Sequence, residues 1–259
     1  DHTYRVAALC EKIADSVGLT GEDKDVAWLL GMLHDIGRFE QIKRYNTFSD
    51  ADSVDHAKFG ADLLFKDGLI STFLNGMVKC TGYKPGALED RYSSDGVFLY
   101  DRLNKSDMEM LELAIRCHNM YRIPQGLNRR EQAFCNVLRD ADKVDIFKVN
   151  IDTPLEEIYN TTTEELMKSD ITDEVLEAFD EEHCILKAIR RTPADTVIGH
   201  VSLAYELVYD ESVRITVEQG YLAKLMHFHS DNEATNRKMA MVREKMDSYV
   251  KKRIGEKDA

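Results

Sequence analysis

Apolar residues recur at α-helical spacing along nearly the whole chain, and almost no stretch alternates as a strand would. Val6, Leu9, Cys10, Ile13 and Val17 share one helical face, and Gly18 stops that segment. Thr20-Gly21-Glu22-Asp23 reads as an N-cap with acidic first-turn residues. It opens a second helix with Val26, Leu29, Leu30 and Leu33 facing inward, and Gly37 is the expected left-handed C-cap. Residues 38–52 are polar and mixed and are expected to form a loop. Ser53 is expected to cap a third helix through Leu64, ending near Gly68. Residues 76–104, rich in glycine, read as an irregular insertion or lid. Ser106 is expected to cap a helix from Asp107 to about Met120, closed by Pro124-Gln125-Gly126, and another helix spans about Arg129 to Val149. Beyond Pro154, helices are expected at roughly 155–168, 172–190, 195–209, 212–227 and 231–253. The best strand signal, Val213 to Val217, is better read as helix, and only four prolines interrupt the chain. The expected fold class is all-α.

With 259 residues the chain can bury a core in one large domain or two small ones. Its net charge of −13 argues against non-specific binding to nucleic-acid polymers or anionic membranes. A phosphorylated small molecule in a locally cationic cleft stays compatible with that charge. The five cysteines are odd in number and form no C-x-x-C pair. Free, mostly buried thiols in a reducing compartment, the cytoplasm, are expected. No apolar run approaches the ~20 residues that span a bilayer. The chain opens at Asp1-His2 without Met, so the natural N-terminus is expected to lie upstream, where the first helix would continue.

His34-Asp35 stands at the edge of the apolar second helix. A carboxylate beside an imidazole there is costly unless a cation compensates it, and a metal ion is the simplest one. Adjacent helical side chains diverge by about 100°, so both reach one ion only off the helix end. Three more histidines of the first half, His2, His56 and His118, sit on or at the ends of expected helices, and an acidic cluster follows at Asp140, Asp142 and Asp145. In a helical fold a metal site is assembled from such scattered side chains. Imidazoles with carboxylates suit iron, manganese, zinc, cobalt or nickel better than calcium. Six ligands are too many for one ion that keeps an open position. They suit two ions sharing a carboxylate, with Asp35 as the natural bridge.

The order H…HD…H…H…D resembles the HD-domain superfamily of metal-dependent phosphohydrolases. The resemblance lies in His2-Thr3-Tyr4-Arg5-Val6, Leu33-His34-Asp35-Ile36-Gly37-Arg38, Asp55-His56-Ala57-Lys58-Phe59-Gly60-Ala61, Ala114-Ile115-Arg116-Cys117-His118-Asn119 and Asp140-Ala141-Asp142-Lys143-Val144-Asp145. It covers about residues 2–150. It implies a helical HD metal-binding core over 1–150 and a helical C-terminal extension over 151–259 packed on that core. It further implies one ion held by His2, His34, Asp35 and Asp142, and a second by Asp35, His56 and His118. Asp142 rather than Asp140 follows from its place just before Lys143. The ions are expected to be iron or manganese first, with zinc, cobalt, nickel or magnesium as alternatives.

The resemblance implies a phosphohydrolase acting on a small phosphate ester, a nucleotide or related metabolite. Asp35 bridges the ions, and Arg38 and Lys143 stabilise developing charge. Arg38, Lys143, Asn119 and Arg122 are the candidate substrate-binding groups, with Tyr121 beside them. The C-terminal helices would close the cleft or form a homo-oligomer interface. Two rival readings are a mixed-valent di-iron oxygenase with the same six ligands and a nucleotide-binding regulator without turnover. His183, His200, His227 and His229 read as structural or surface residues, Asp140 and Asp145 as caps or ion-pair partners, and Cys117 as a small core residue.

Overall fold

The computed structural model describes residues 2–79 and 103–255, and among these every regular element is a helix. No helix among the described residues is long and apolar enough to cross a membrane. The chain divides into two compact units, Thr3–Arg139 and, with His2, the residues from Asp140 onward.

In the first unit, α1 (His2–Ser16) buries Val6, Ala7, Leu9, Cys10, Ile13 and Ala14, the face expected from their spacing. Gly18, at φ +81°, ends the segment. Helix α2 (Glu22–Leu33) buries Val26, Leu29, Leu30 and Leu33. Its N-cap is Gly21, without a side-chain hydrogen bond, so Thr20 does not cap it. The two helices cross closely: a Cβ on Gly31 would lie 2.5 Å from the Cα of Ala7.

The expected loop over 38–52 is largely a helix, α3 (Ile36–Tyr45), followed by an open stretch from 46 to 55. Only Gly37 and Gln41 of α3 are buried, so no apolar stripe marks it in the sequence. It is supported by Glu40, which pairs with Lys43 and Arg44 at 2.9 Å each, and Asn46 closes it in the left-handed region. Gly37 therefore lies inside a helix and caps nothing. Its lack of a side chain serves a close approach: a Cβ would sit 2.2 Å from the His56 carbonyl oxygen and 2.8 Å from the Gly60 nitrogen.

Helix α4 (His56–Ala61) packs against α3 and is capped by Asp55, which accepts the Lys58 N–H, in place of the expected Ser53. It runs into a π-helical turn, Asp62–Lys66, that buries Leu63 and Leu64. Gly68 (φ +80°) then ends the segment as expected. Helix α5 (Leu69–Lys79) takes in 76–79, the start of the expected irregular insertion; residues 80–102 of that expectation lie outside the described residues. Helix α6 (Lys105–Cys117) packs on α4. Asn104, not Ser106, caps it through a reciprocal box with Asp107. Helix α7 (Arg129–Asp152) begins where expected and runs three residues past Val149.

In the second unit, the helices expected beyond Pro154 are more broken. The first is split into α8 (Leu155–Tyr159) and α9 (Thr163–Lys168) by Asn160 at φ 48°. Helix α10 (Asp173–Asp180) covers only the first part of the expected 172–190 segment, and the rest holds only a 3-10 turn, Lys187–Ile189. Then come α11 (Pro193–Val201) with a 3-10 turn to Glu206, α12 (Asp210–Gln219), α13 (Tyr221–Met226) and α14 (Glu233–Ile254). Phe147, Leu166, Ile171, Phe179, Val197 and Met239 anchor its core. Val213 to Val217 is helical, as expected.

Gly37→Asn separates the two roles of Gly37. A left-handed cap accepts Asn, but a buried crossing does not. The urea midpoint is expected to fall by the equivalent of about 1–3 kcal/mol, the usual cost of overpacking. An unchanged midpoint would contradict the crossing.

Candidate metal centre

Three helix ends of the first unit meet around one carboxylate. At the end of α2, His34 keeps helical angles while Asp35 departs to φ −102°, ψ 16°, an elbow leading into α3. His56 is the first residue of α4, and His118 follows the last residue of α6. His34, His56 and His118 are buried, while Asp35 keeps 20% of its side chain exposed. His56 Nε2 and His118 Nε2 lie 3.4 and 3.7 Å from Asp35 Oδ1, and His34 Nε2 lies 3.7 Å from Oδ2. Ligand atoms of His34, Asp35 and His118 fall within 4.8 Å of one another, close enough to share an ion.

The other nitrogen of each ring fixes what Nε2 can do. His34 Nδ1 is 2.7 Å from the Gly31 carbonyl, and His118 Nδ1 is 2.7 Å from the Ile115 carbonyl. Both are last-turn carbonyls, and that of Ile115 also accepts the His118 backbone N–H. His56 Nδ1 is 2.7 Å from Asp50 Oδ2. A carbonyl or carboxylate only accepts, so each Nδ1 carries the proton, and each neutral ring presents a lone pair at Nε2. His56 Nε2 and His118 Nε2 are 3.1 Å apart. Two lone pairs at that distance beside a carboxylate repel unless a proton or a cation lies among them. A metal ion satisfies all four groups, and the C-terminal ends of α2 and α6 add negative potential that favours it. The donor set thus fits a metal.

Protonated rings would meet the same need for positive charge. In that state burial still raises the Asp35 pKa, but the charge of His34, the hydrogen bond and charge of His118, and the charge of His56 outweigh it and hold the carboxyl far below its usual range.

Two residues behind the rings were not singled out in the sequence. Asp50 receives His56 Nδ1, Arg38 Nη1 at 2.9 Å and Gln41 Nε2 at 3.0 Å. Fully buried Gln41 also donates to Ser53 Oγ and the Val54 carbonyl and accepts from Arg38. Burial raises the Asp50 pKa, yet the hydrogen bonds from His56 and Gln41 and the charges of His56 and Arg38 hold it well below the usual carboxylate range. The sequence signal was faint: an acid six residues ahead of a candidate ligand, among other acids in a stretch without period. A third residue, Arg139, stood only as a neighbour of the acidic cluster. Its guanidinium donates to the carbonyls of Cys117, His118, Met120 and Tyr121, pinning the chain just past His118.

The other expected site residues fall as follows. Arg38 Nε lies 3.8 Å from Asp35 Oδ1, while Nη1 is engaged by Asp50, Gln41 and the Phe48 carbonyl. Asn119 donates to Asp55 at 2.9 Å and reaches Asp50 at 3.4 Å. Arg122 lies over the Tyr121 ring. In the second unit, His2 Nδ1 is held by Asp145 at 2.6 Å, and His2 Nε2 is 3.4 Å from Asp142 Oδ1. Lys143 is buried. Asp140 accepts the backbone N–H groups of Val208 and Tyr209, just ahead of α12. The cysteines among the described residues form no disulfide and are buried.

A family model described as HD domain matches residues 1–191. No curated protein and no solved structure matches the chain.

Arg139→Met is expected to cost roughly 1.5–3 kcal/mol in urea unfolding, the range for hydrogen bonds from a charged group. Metal affinity should fall with it, because the turn carrying His118 loosens. For Asp50 the lowered carboxyl pKa means its stabilisation is present above the unfolded value of about 4 and is lost as pH falls through the lower folded value. Asp50→Asn should therefore flatten the acid limb of a stability–pH curve below about pH 4. An unchanged acid limb would contradict the hydrogen-bonded carboxylate.

Proposed function

The chain belongs to the HD-domain family, and on that premise we propose that it is a metal-dependent phosphohydrolase acting on a small phosphate ester, a nucleotide or related metabolite. Metal-dependent hydrolase chemistry is what the family implies in general; the phosphate ester is the finer reading. One observation carries it: three Nε2 atoms converge on Asp35 while each Nδ1 is spent on an acceptor.

His34, Asp35, His56 and His118 would hold metal, and by motif order His2 and Asp142 would complete a ligand set that suits two ions, with Asp35 as the shared carboxylate. Iron or manganese suits this donor set. When bound, such ions supply Lewis acidity toward a phosphoryl oxygen and lower the pKa of coordinated water. The chain's own groups do the rest. Asp35 contributes the central negative charge. Arg38, beside Asp35, contributes a fixed cation toward phosphate oxygens, and Lys143 a second one. Asn119 and Arg122, just past His118, bind the rest of the substrate. The net charge of −13 places the burden of attracting a phosphate on these few cations.

Elemental analysis of protein purified without added metal, paired with a panel of phosphate mono- and diesters, tests the reading. Bound metal and metal-dependent release of phosphate from one class are expected. Asp35→Asn should lower turnover roughly a hundredfold or more, the scale of losing a central electrostatic group, and reduce metal content. His56→Ala should remove only part of the metal. A chain that binds no metal, or a fully metallated one that cleaves no ester, would overturn the proposal. Oxygen consumption by the iron-loaded protein would point to the oxygenase instead.

A further inference from the structure

The three imidazoles of the first unit are held in two different ways. His34 and His118 each give Nδ1 to a carbonyl three residues back in their own chain. Those acceptors are neutral and come with the helix. His56 alone gives Nδ1 to a side-chain carboxylate, that of Asp50, reached from the open stretch between α3 and α4. Asp50 is itself tied on several sides, by Arg38, by Gln41 and by Asn119. Arg38 in turn approaches Asp35. The four side chains close a ring: Asp35 to His56 at 3.4 Å, His56 to Asp50 at 2.7 Å, Asp50 to Arg38 at 2.9 Å, and Arg38 back to Asp35 at 3.8 Å.

A carboxylate behind a ligand imidazole does what a carbonyl does, fixing ring and tautomer, and adds a full negative charge that raises the basicity of Nε2. We propose that Asp50 is a positioning residue for His56, setting its tautomer and its affinity for a divalent metal ion through the ring Asp35–His56–Asp50–Arg38. Arg38 accordingly has a second duty, holding Asp50 in place. Gln41 supplies donors that keep the carboxylate oxygens turned toward His56 and Arg38. The inference rests on reading His34, Asp35, His56 and His118 as metal ligands, and it names the residue that tunes one of them.

The test uses the full chain as wild type, Asp50→Ala and Asp50→Asn, with Co(II) as the probe. Asp50→Asn keeps an oxygen that accepts from Gln41 and Arg38, so it guards against loss of fold. Co(II) affinity, by chelator competition, should fall about 10- to 100-fold in Asp50→Ala, the usual effect of removing such a partner, and less in Asp50→Asn. The visible Co(II) spectrum should change with it. In the metal-free protein, ¹⁵N shifts should show His56 with its proton on Nδ1 in wild type and a shift toward Nε2–H in Asp50→Ala. Unchanged affinity, spectrum and tautomer in folded variants would overturn the inference, even if urea stability fell, since Asp50 would then serve the fold alone. Wild-type protein that takes up no Co(II) would overturn the metal reading itself, and the inference with it.

Discussion

Each imidazole around Asp35 has already spent its one neutral-state proton. Two spend it on carbonyls at the ends of their own helices and one on a carboxylate. What is left is a set of lone pairs facing a negative group, with two of them 3.1 Å apart. Such an arrangement stands only with positive charge in its midst, as protons on the rings or as a metal ion. The choice of helix ends follows from the same constraint. A C-terminal turn offers carbonyls with lone pairs to orient a ring and a negative potential to favour a cation.

The helices had to be brought close enough for this to work. Asp35 leaves helical geometry and so turns the chain into α3, and α3 lies so near α4 that Gly37 has no room for a side chain against the His56 carbonyl. The glycine in the motif is thus part of how His56 reaches Asp35. Arg139 does similar work at the third corner, gathering the carbonyls of Cys117, His118, Met120 and Tyr121.

Much of this was legible in the sequence. The helical class, the inward faces of α1 and α2 and the start of α7 follow from apolar spacing, because burial leaves that period behind. The histidine motifs were visible through their order. Helix α3 was missed because its two buried residues are a glycine and a glutamine, so no apolar stripe records it. Ser53 and Ser106 were plausible caps, yet Asp55 and Asn104 took the role; such residues are near-equivalent by type, and only the path of the chain decides between them. Asp50 and Gln41 escaped for a deeper reason. Their partners are far along the chain or on a stretch without period, and hydrogen-bond pairing at a distance leaves no local pattern.

Gln41 has one further consequence, for the chemical ageing of the molecule. The hub that turns Asp50 is an uncharged amide, so it keeps its donors at every pH at which imidazoles gain or lose protons. Conversion of that amide to an acid would remove those donors and set a second carboxylate against Asp50, where Gln41 Nε2 now stands at 3.0 Å. Complete burial shields the amide from the water such a conversion needs. The donors that hold Asp50 are therefore protected as long as Gln41 stays buried on its otherwise polar helix.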